Sequence, residues 1–423
     1  MRDITVMRKP DVQKIIESAI RSGVVVVHIE PTPTTVTIRY RRAGKLQQGE
    51  QFSLESGAVL IKQIKRLAKL GVRQKLSPQQ GRYETTIDQQ AYYIEVVTAP
   101  VMDGERVTLH IQTRTSRPFT VQQLGWWGSN LIALQQAITQ PHGLIIIAGQ
   151  QTHHIQATLL AIAGALPVPF DQLVYINEYP IPKLEGIESI VTQPELGRAM
   201  SQLLTRFKRT DHQVVLADLL TTRQDMQAAV ALAKSGKLLI AGVPSSNATN
   251  ALIFFKRATR LTSGIVLVRL STGQLFVPRL CVHCQELYQP DQNELRQLDR
   301  LFHFDNSETM RHLHTLENQA LQNGVNVNQT ALGSSAHGIV RLWRARQGGC
   351  QWCHHSGYHG EIGLYEATPV STDLQQKLTN FVAARALRQS VINNGMLSIE
   401  VDGLIKLLRG LIDVPTLLTI FQQ

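Results

Sequence analysis

Apolar residues at Val12, Ile15, Ile16 and Ala19 recur at the spacing of one helical face, and Gly23 follows where such a helix should stop. The β-branched run Val24 to Ile29 and the alternating segment Thr35 to Tyr40 read as strands. Ala58 to Val72 again carries apolar residues at helical spacing, with Lys and Arg on the other side. Tyr92 to Val97 and Val107 to Gln112 read as further strands. Together these predict an α+β domain over residues 1–117. Around Arg114 to Thr120 the pattern breaks into polar residues and a proline, which marks a linker.

From Val121 the chain alternates strand with helix. Leu144 to Ile147 precedes a helix from Ala157 to Leu166, and Leu173 to Ile176 precedes one from Leu196 to Phe207. Val214 to Leu216 is followed by a helix from Met226 to Ala233, and Leu238 to Ala241 closes the series. Short apolar strands separated by helices predict a parallel sheet covered on both faces, over residues 118–276. After Cys284 comes a polar, helix-prone insert through Gln322. Asn323 to His337, rich in Asn, Gly and Ser, reads as a flexible stretch within a segment of residues 277–366. Residues 367–423 read as helices, and no internal repeat is evident.

Composition narrows the class. With 423 residues and 43% hydrophobic content the chain is neither a disordered tail nor a mini-protein. No apolar run approaches the roughly 18 to 20 residues that cross a bilayer. Residues 1–20 mix charges without the apolar core of a secretion signal, so a cytoplasmic protein is expected. The formal charge of +11 would suit nucleic acid or an anionic membrane surface. The basic residues are scattered, however, with small knots only at residues 39–42 and 206–209, which argues against a nucleic-acid face.

Four cysteines in so long a chain do not make a disulfide framework in a reducing compartment. Cys281-Val-His-Cys284 and Cys350-Gln-Trp-Cys353 are two CxxC knuckles, matching the four thiolates of a closed tetrahedral zinc site. Arg279, Arg341, Arg344 and Arg346 lie nearby to offset the negative charge of such a site. His283, His354 and His355 are alternative ligands, and four unligated thiols are the bland alternative. A redox role is disfavoured because neither pair opens a helix after a strand.

The cysteine segments, Pro278 to Cys284 and Gly349 to Glu366, resemble the zinc module of the type II secretion and type IV pilus assembly ATPases. His28-Ile-Glu-Pro31, Gly81-Arg82 and Gly104-Glu-Arg106 resemble motifs of that family's PAS-like N-terminal domain. Pro141 to Gly149 resembles the strand entering its P-loop, and Gly395 to Gly403 its C-terminal helical motif. The resemblance implies a RecA-like core, hexameric rings, and work at the cytoplasmic face of the inner membrane beside a platform protein.

The phosphate chemistry departs from that family. A P-loop needs small residues around the phosphates, a Lys reaching them, and Ser or Thr on Mg²⁺. Overlaid on Gly149, Gln150, Gln151, Thr152, His153, His154, Ile155 and Gln156, the motif keeps only its first Gly; Ile155 replaces the Lys and Gln156 the hydroxyl. In Val214 to Thr222 the overlay puts Leu219 at the catalytic Glu and Asp218 at a Gly. The acidic segment retains Glu178, with Asn177 and Ile181 at carboxylate positions, and Pro244 stands where the family has a His. Two nucleotide-reaching arginines appear as Glu95 and His110. Phosphoryl transfer asks for charge neutralisation, metal ligation and water activation, and all three are depleted. Losing one strong electrostatic stabiliser already costs ~10² to 10³ in rate.

The expected protein is therefore a degenerate family member: zinc-bearing, with no support for ATP and Mg²⁺ beyond Glu178 and Asp218. It would act as a scaffold or regulator in a homo- or hetero-hexamer with an active paralogue. The rival reading is an active motor using a rebuilt loop, and a third is a zinc-containing nucleic-acid binder. His153 and His154 are expected in a solvent-facing loop, His28 and Glu30 in structural roles. Trp126, Trp127 and Trp352 are expected in cores or subunit contacts.

Overall fold

Asp11 opens the first helix, Val12–Arg21, by accepting a hydrogen bond from the Gln13 N–H, and Val12, Ile15, Ile16 and Ala19 form its buried stripe. The computed structural model describes residues 11–421 except 25, 43–44, 114–118, 179–185, 195–196, 260–261, 304–306, 326–330 and 381–382. Most of the expected linker and Ile181 lie outside the described residues. The chain divides into two units. One comprises residues 1–116, 278–286 and 345–360; the other comprises residues 117–277, 287–344 and 361–423.

The first unit is built on an antiparallel sheet. Its strands are β1 (Val26–Pro31), β2 (Thr35–Arg42), β3 (Lys45–Ser53), β4 (Gln79–Ile87), β5 (Gln90–Val101) and β6 (Gly104–Thr113), in the order β3-β2-β1-β6-β5-β4. Val27, Ile29, Ile38, Ile94, Val96, Val107 and Leu109 face a core shared with the helices Val12–Arg21 and Leu54–Leu67. The motif residues serve this architecture. Glu30 pairs with Arg106 at 2.9 Å and Arg39 at 3.3 Å, and His28 Nδ1 lies 3.2 Å from the Thr108 hydroxyl. Gly81 admits a backbone: a Cβ there would lie 2.5 Å from the Ala68 carbonyl. Gly104 turns the β5–β6 hairpin at φ +138°, a region that disfavours side chains.

The second unit holds the predicted doubly covered sheet. Its strands include β7 (Gly143–Gly149), β8 (Leu173–Asn177), β9 (Glu188–Val191), β10 (Val214–Leu219), β11 (Leu238–Pro244) and β12 (Val268–Leu280). With the strand Tyr358–Pro369 at one edge, the order from that edge is β12-β7-β11-β10-β8-β9. The ladders from β12 to β9 are parallel. Alternation in β7 divides two cores. Leu144, Ile146 and Ala148 face the helices Met200–Phe207, Arg223–Lys234 and Ala248–Thr259, while Ile145 and Ile147 face Gly128–Ile138 and Thr152–Ala163.

A third core joins the insert helices Gln292–Phe302 and Ser307–Gln322 to the C-terminal helices Ile399–Leu408 and Val414–Phe421. The second half of the stretch expected to be flexible is an anchored hairpin. Ser334–Ser335 pairs with Gly338–Ile339, and buried Glu317 accepts from the Gly333 and Ser334 N–H groups and the Ser334 hydroxyl. The C-terminal motif is likewise structural. Asp402 accepts from the Trp127 indole, the Tyr365 N–H and Lys406, all buried.

Candidate functional site

In this fold the carboxyl end of β7 is where a phosphate would sit. Only Gln150 and Gln151 separate β7 from the helix Thr152–Ala163, and the Gln151 side chain makes no capping bond. Thr152, His153 and His154, which the motif would need as a phosphate-wrapping loop, are already wound into the first helical turn. This corrects the expectation of a solvent-facing histidine loop: both histidines are half-buried and helical. His154 stacks on Phe276 with ring centroids 4.3 Å apart, and its Nε2 lies 3.2 Å from Glu361.

Ile155 turns into the sheet. It is fully buried, and a Cβ on Gly242 would meet its Cγ2 at 2.8 Å. The position that carries Lys in the motif is thus an apolar core position, with Gly242 giving it room. One residue on, Gln156 donates to the Asp218 carboxylate at 2.8 Å. Asp218, fully buried at the end of β10, also accepts from the Tyr175 hydroxyl at 2.6 Å and the Glu178 N–H at 2.7 Å.

The remaining sequence-flagged positions are spread out. Asn177 accepts from Ser189, Leu219 is buried in the sheet core, and Pro244 ends β11 exposed. In the first unit Glu95 lies opposite His110 and accepts from the Gln80 amide.

Beside the β7 turn lies a cavity of about 350 Å³ bordered by Gly149, Gln151, His154, Ser246, Gln274 and Arg388. Arg388 is held by Glu366 and Glu400 at 3.0 Å each. Fully buried Glu366 also accepts from the Ala248 N–H at the start of a helix. Gln274, Glu361 and Glu366 were not singled out from sequence. No motif marks Gln274, and Glu361 and Glu366 fall within the Gly349 to Glu366 segment without a spacing that sets them apart; all three reach the site on sheet strands.

The four cysteines converge. The Cys281–Cys350 sulfurs are 3.8 Å apart, and Cys284–Cys353 and Cys350–Cys353 are 3.7 Å apart. Zn–S bonds of about 2.3 Å in a tetrahedron put sulfurs about 3.8 Å apart, so the donor set fits a zinc ion. Burial pushes the Cys281 and Cys284 thiols up. At Cys353 burial pushes the same way, but the Cys350 and Gly357 N–H donors, together with hydrogen bonds to the Cys284 and Cys350 thiols, outweigh it and bring the group to about 6. His283, His354 and His355 are exposed and outside the cluster; Trp352, expected in a core or contact, is 67% exposed and stacks on His283.

Fold and site define a P-loop-type α/β protein whose phosphate turn is wound as helix. The chain belongs to the type II/IV secretion system protein family, whose model matches residues 4–418. The type II secretion system ATPase E of Vibrio cholerae is 24% identical over 419 residues, covering 97% of this chain and 75% of the relative. The type IV pilus assembly ATPase PilB of Thermus thermophilus is 24% identical over 415 residues, covering 95% of this chain and 41% of the relative. The ATPase DotB of Legionella pneumophila shares the fold, with a TM-score of 0.59 at 12% identity over 99% of this chain and 97% of its own. Among the described residues no helix is long and apolar enough to cross a membrane.

Proposed function

We propose that this chain is a non-hydrolysing member of its family, a scaffold or regulator in a pilus or secretion machine. The observation that carries the reading is the hydrogen bond from Gln156 to Asp218. It joins the position that should hold Mg²⁺ through a hydroxyl to the surviving acid of β10, so that acid serves packing in place of metal. Ile155 in the core and the helical His153 and His154 remove the cation and the loop as well. The family's architecture persists because packing needs the apolar pattern and not the catalytic groups.

In this role the chain joins or caps a ring with an active paralogue at the cytoplasmic face of the inner membrane and docks on the platform protein. Zinc held by Cys281, Cys284, Cys350 and Cys353 supplies a structural cross-link when bound. A pull-down from native cells tests the reading: it predicts co-purification of an ATPase with intact motifs and a platform protein. Recovery of this chain alone, as a self-sufficient ATP-hydrolysing ring, contradicts it.

A second reading has one observation in its favour. The Gln274 Nε2, buried and without a hydrogen-bond partner among the described residues, borders the cavity beside Gly149 and offers a donor to a ligand there. An active motor with a rebuilt loop would use it to hold nucleotide.

A further inference from the structure

One basic stretch runs against the expectation of scattered charge: between Glu55 and Glu84 the sequence contains no acidic residue, and Lys62, Arg66, Lys69, Arg73 and Lys75 are all exposed. Val59, Lys62 and Arg66 follow one another on the outward stripe of the helix Leu54–Leu67, opposite buried Leu60, Ile61 and Ile64. The loop after this helix is held from beneath. Buried Lys65 donates to the Gln74 carbonyl at 2.7 Å while paired with Glu105 at 2.6 Å. Gln79 accepts from the Gly71 N–H and donates to the Gly71 and Gln74 carbonyls. With its backbone fixed in this way, the loop presents Arg73, Lys75 and Leu76 outward, and Leu76 is 93% exposed.

A second apolar tip leaves the same end of the sheet. Gln79 pairs with Thr98 at the end of the β4–β5 ladder, so Leu76 precedes that end by three residues and Val101 follows it by three. Met102, in the β5–β6 turn, is fully exposed. Glu105, three residues on, shares the Lys65 anchor with the Leu76 loop. Exposed Glu55 lies in the first turn of the helix Leu54–Leu67, and exposed Asp103 follows Met102.

We propose that this surface of the first unit binds an anionic lipid bilayer, with Leu76 and Met102 entering the interface and the five cations meeting lipid phosphates. The side chains project and do not line a groove, which suits a fluid surface better than an acidic protein segment. The patch has no exposed aromatic to stack a nucleobase, which separates it from a single-strand nucleic-acid site. The inference uses no residue of the β7 turn, so it stands or falls separately from the reading of the nucleotide site.

Co-sedimentation of the full chain with vesicles of phosphatidylcholine alone, or mixed with phosphatidylglycerol, tests it. Binding is expected only with phosphatidylglycerol and should weaken as salt rises. Replacing Arg73 and Lys75 by Gln should weaken it by about fivefold per cation. Leu76→Ser with Met102→Ser should weaken it by roughly tenfold. These side chains are exposed, so unchanged thermal melts will show the variants folded. No binding to the anionic vesicles at low salt, or binding that both variants leave intact, overturns the proposal. Binding of polyglutamate or duplex DNA where vesicles fail would assign the patch to an acidic polymer and overturn it equally.

Discussion

The side-chain amide of Gln156 donates to the carboxylate of Asp218 at 2.8 Å, in a site where Tyr175 and the Glu178 N–H bind the same carboxylate. A buried acid so bonded is part of the fold. Asp218→Ala is expected to lower stability by about 2–4 kcal/mol, because buried donors lose their acceptor. Urea unfolding measures this, and an unchanged midpoint would show that the carboxylate is not a packing group.

Restoring the missing lysine should fail. Ile155→Lys places an ammonium in an apolar core against Gly149 and Gly242, at a cost of about 3 kcal/mol or more. It should confer no affinity for Mg·ATP by calorimetry. A stable variant with saturable nucleotide binding would mean that the turn after β7 opens far more readily than its helical winding implies.

The two edge strands of the antiparallel sheet, β3 and β4, escaped the periodicity reading, whereas every central strand of that sheet was legible; in the parallel sheet the central strand β12 escaped as well. Edge strands are solvated on more sides, so Lys45–Ser53 and Gln79–Ile87 carry few apolar residues to betray them. β9, at the edge of the parallel sheet, escaped for the same reason. The cysteine convergence was readable from spacing alone, because thiolate pairs suggest their own partner. The helical state of His153 and His154 was not. A motif overlay assumes the loop it is looking for, and only backbone geometry shows that it is wound up. Trp126 and Trp127 lie in cores as expected. Trp352 lies in no core, because a two-residue knuckle between cysteines offers no interior.

The sulfur geometry predicts one zinc per chain after desalting. Cys281→Ser should abolish retention, and chelation of the native protein should lower its melting temperature, because metal binding couples to folding. Full metal content in the variant would move the site to other ligands.

His28 gives a pH signature. Burial first, then Arg106 and Arg41, lowers its pKa below the ordinary 6.5. Between the folded and unfolded values the unfolded state binds more protons, so stability rises with pH through that window. The contribution is complete above about pH 6.5 and is lost as pH falls below it. Urea midpoints at neutral pH and about one unit below the ordinary histidine value should drop less for His28→Asn than for the native chain. The difference between the two proteins separates His28 from the thiolates. Equal drops would remove His28 from the account.

Single-turnover hydrolysis of radiolabelled ATP by the purified chain, with Mg²⁺ in excess, tests the central claim most directly. The account predicts phosphate release no faster than in buffer alone. Release that is clearly faster, and that disappears in Asp218→Asn or Glu178→Gln, would contradict it.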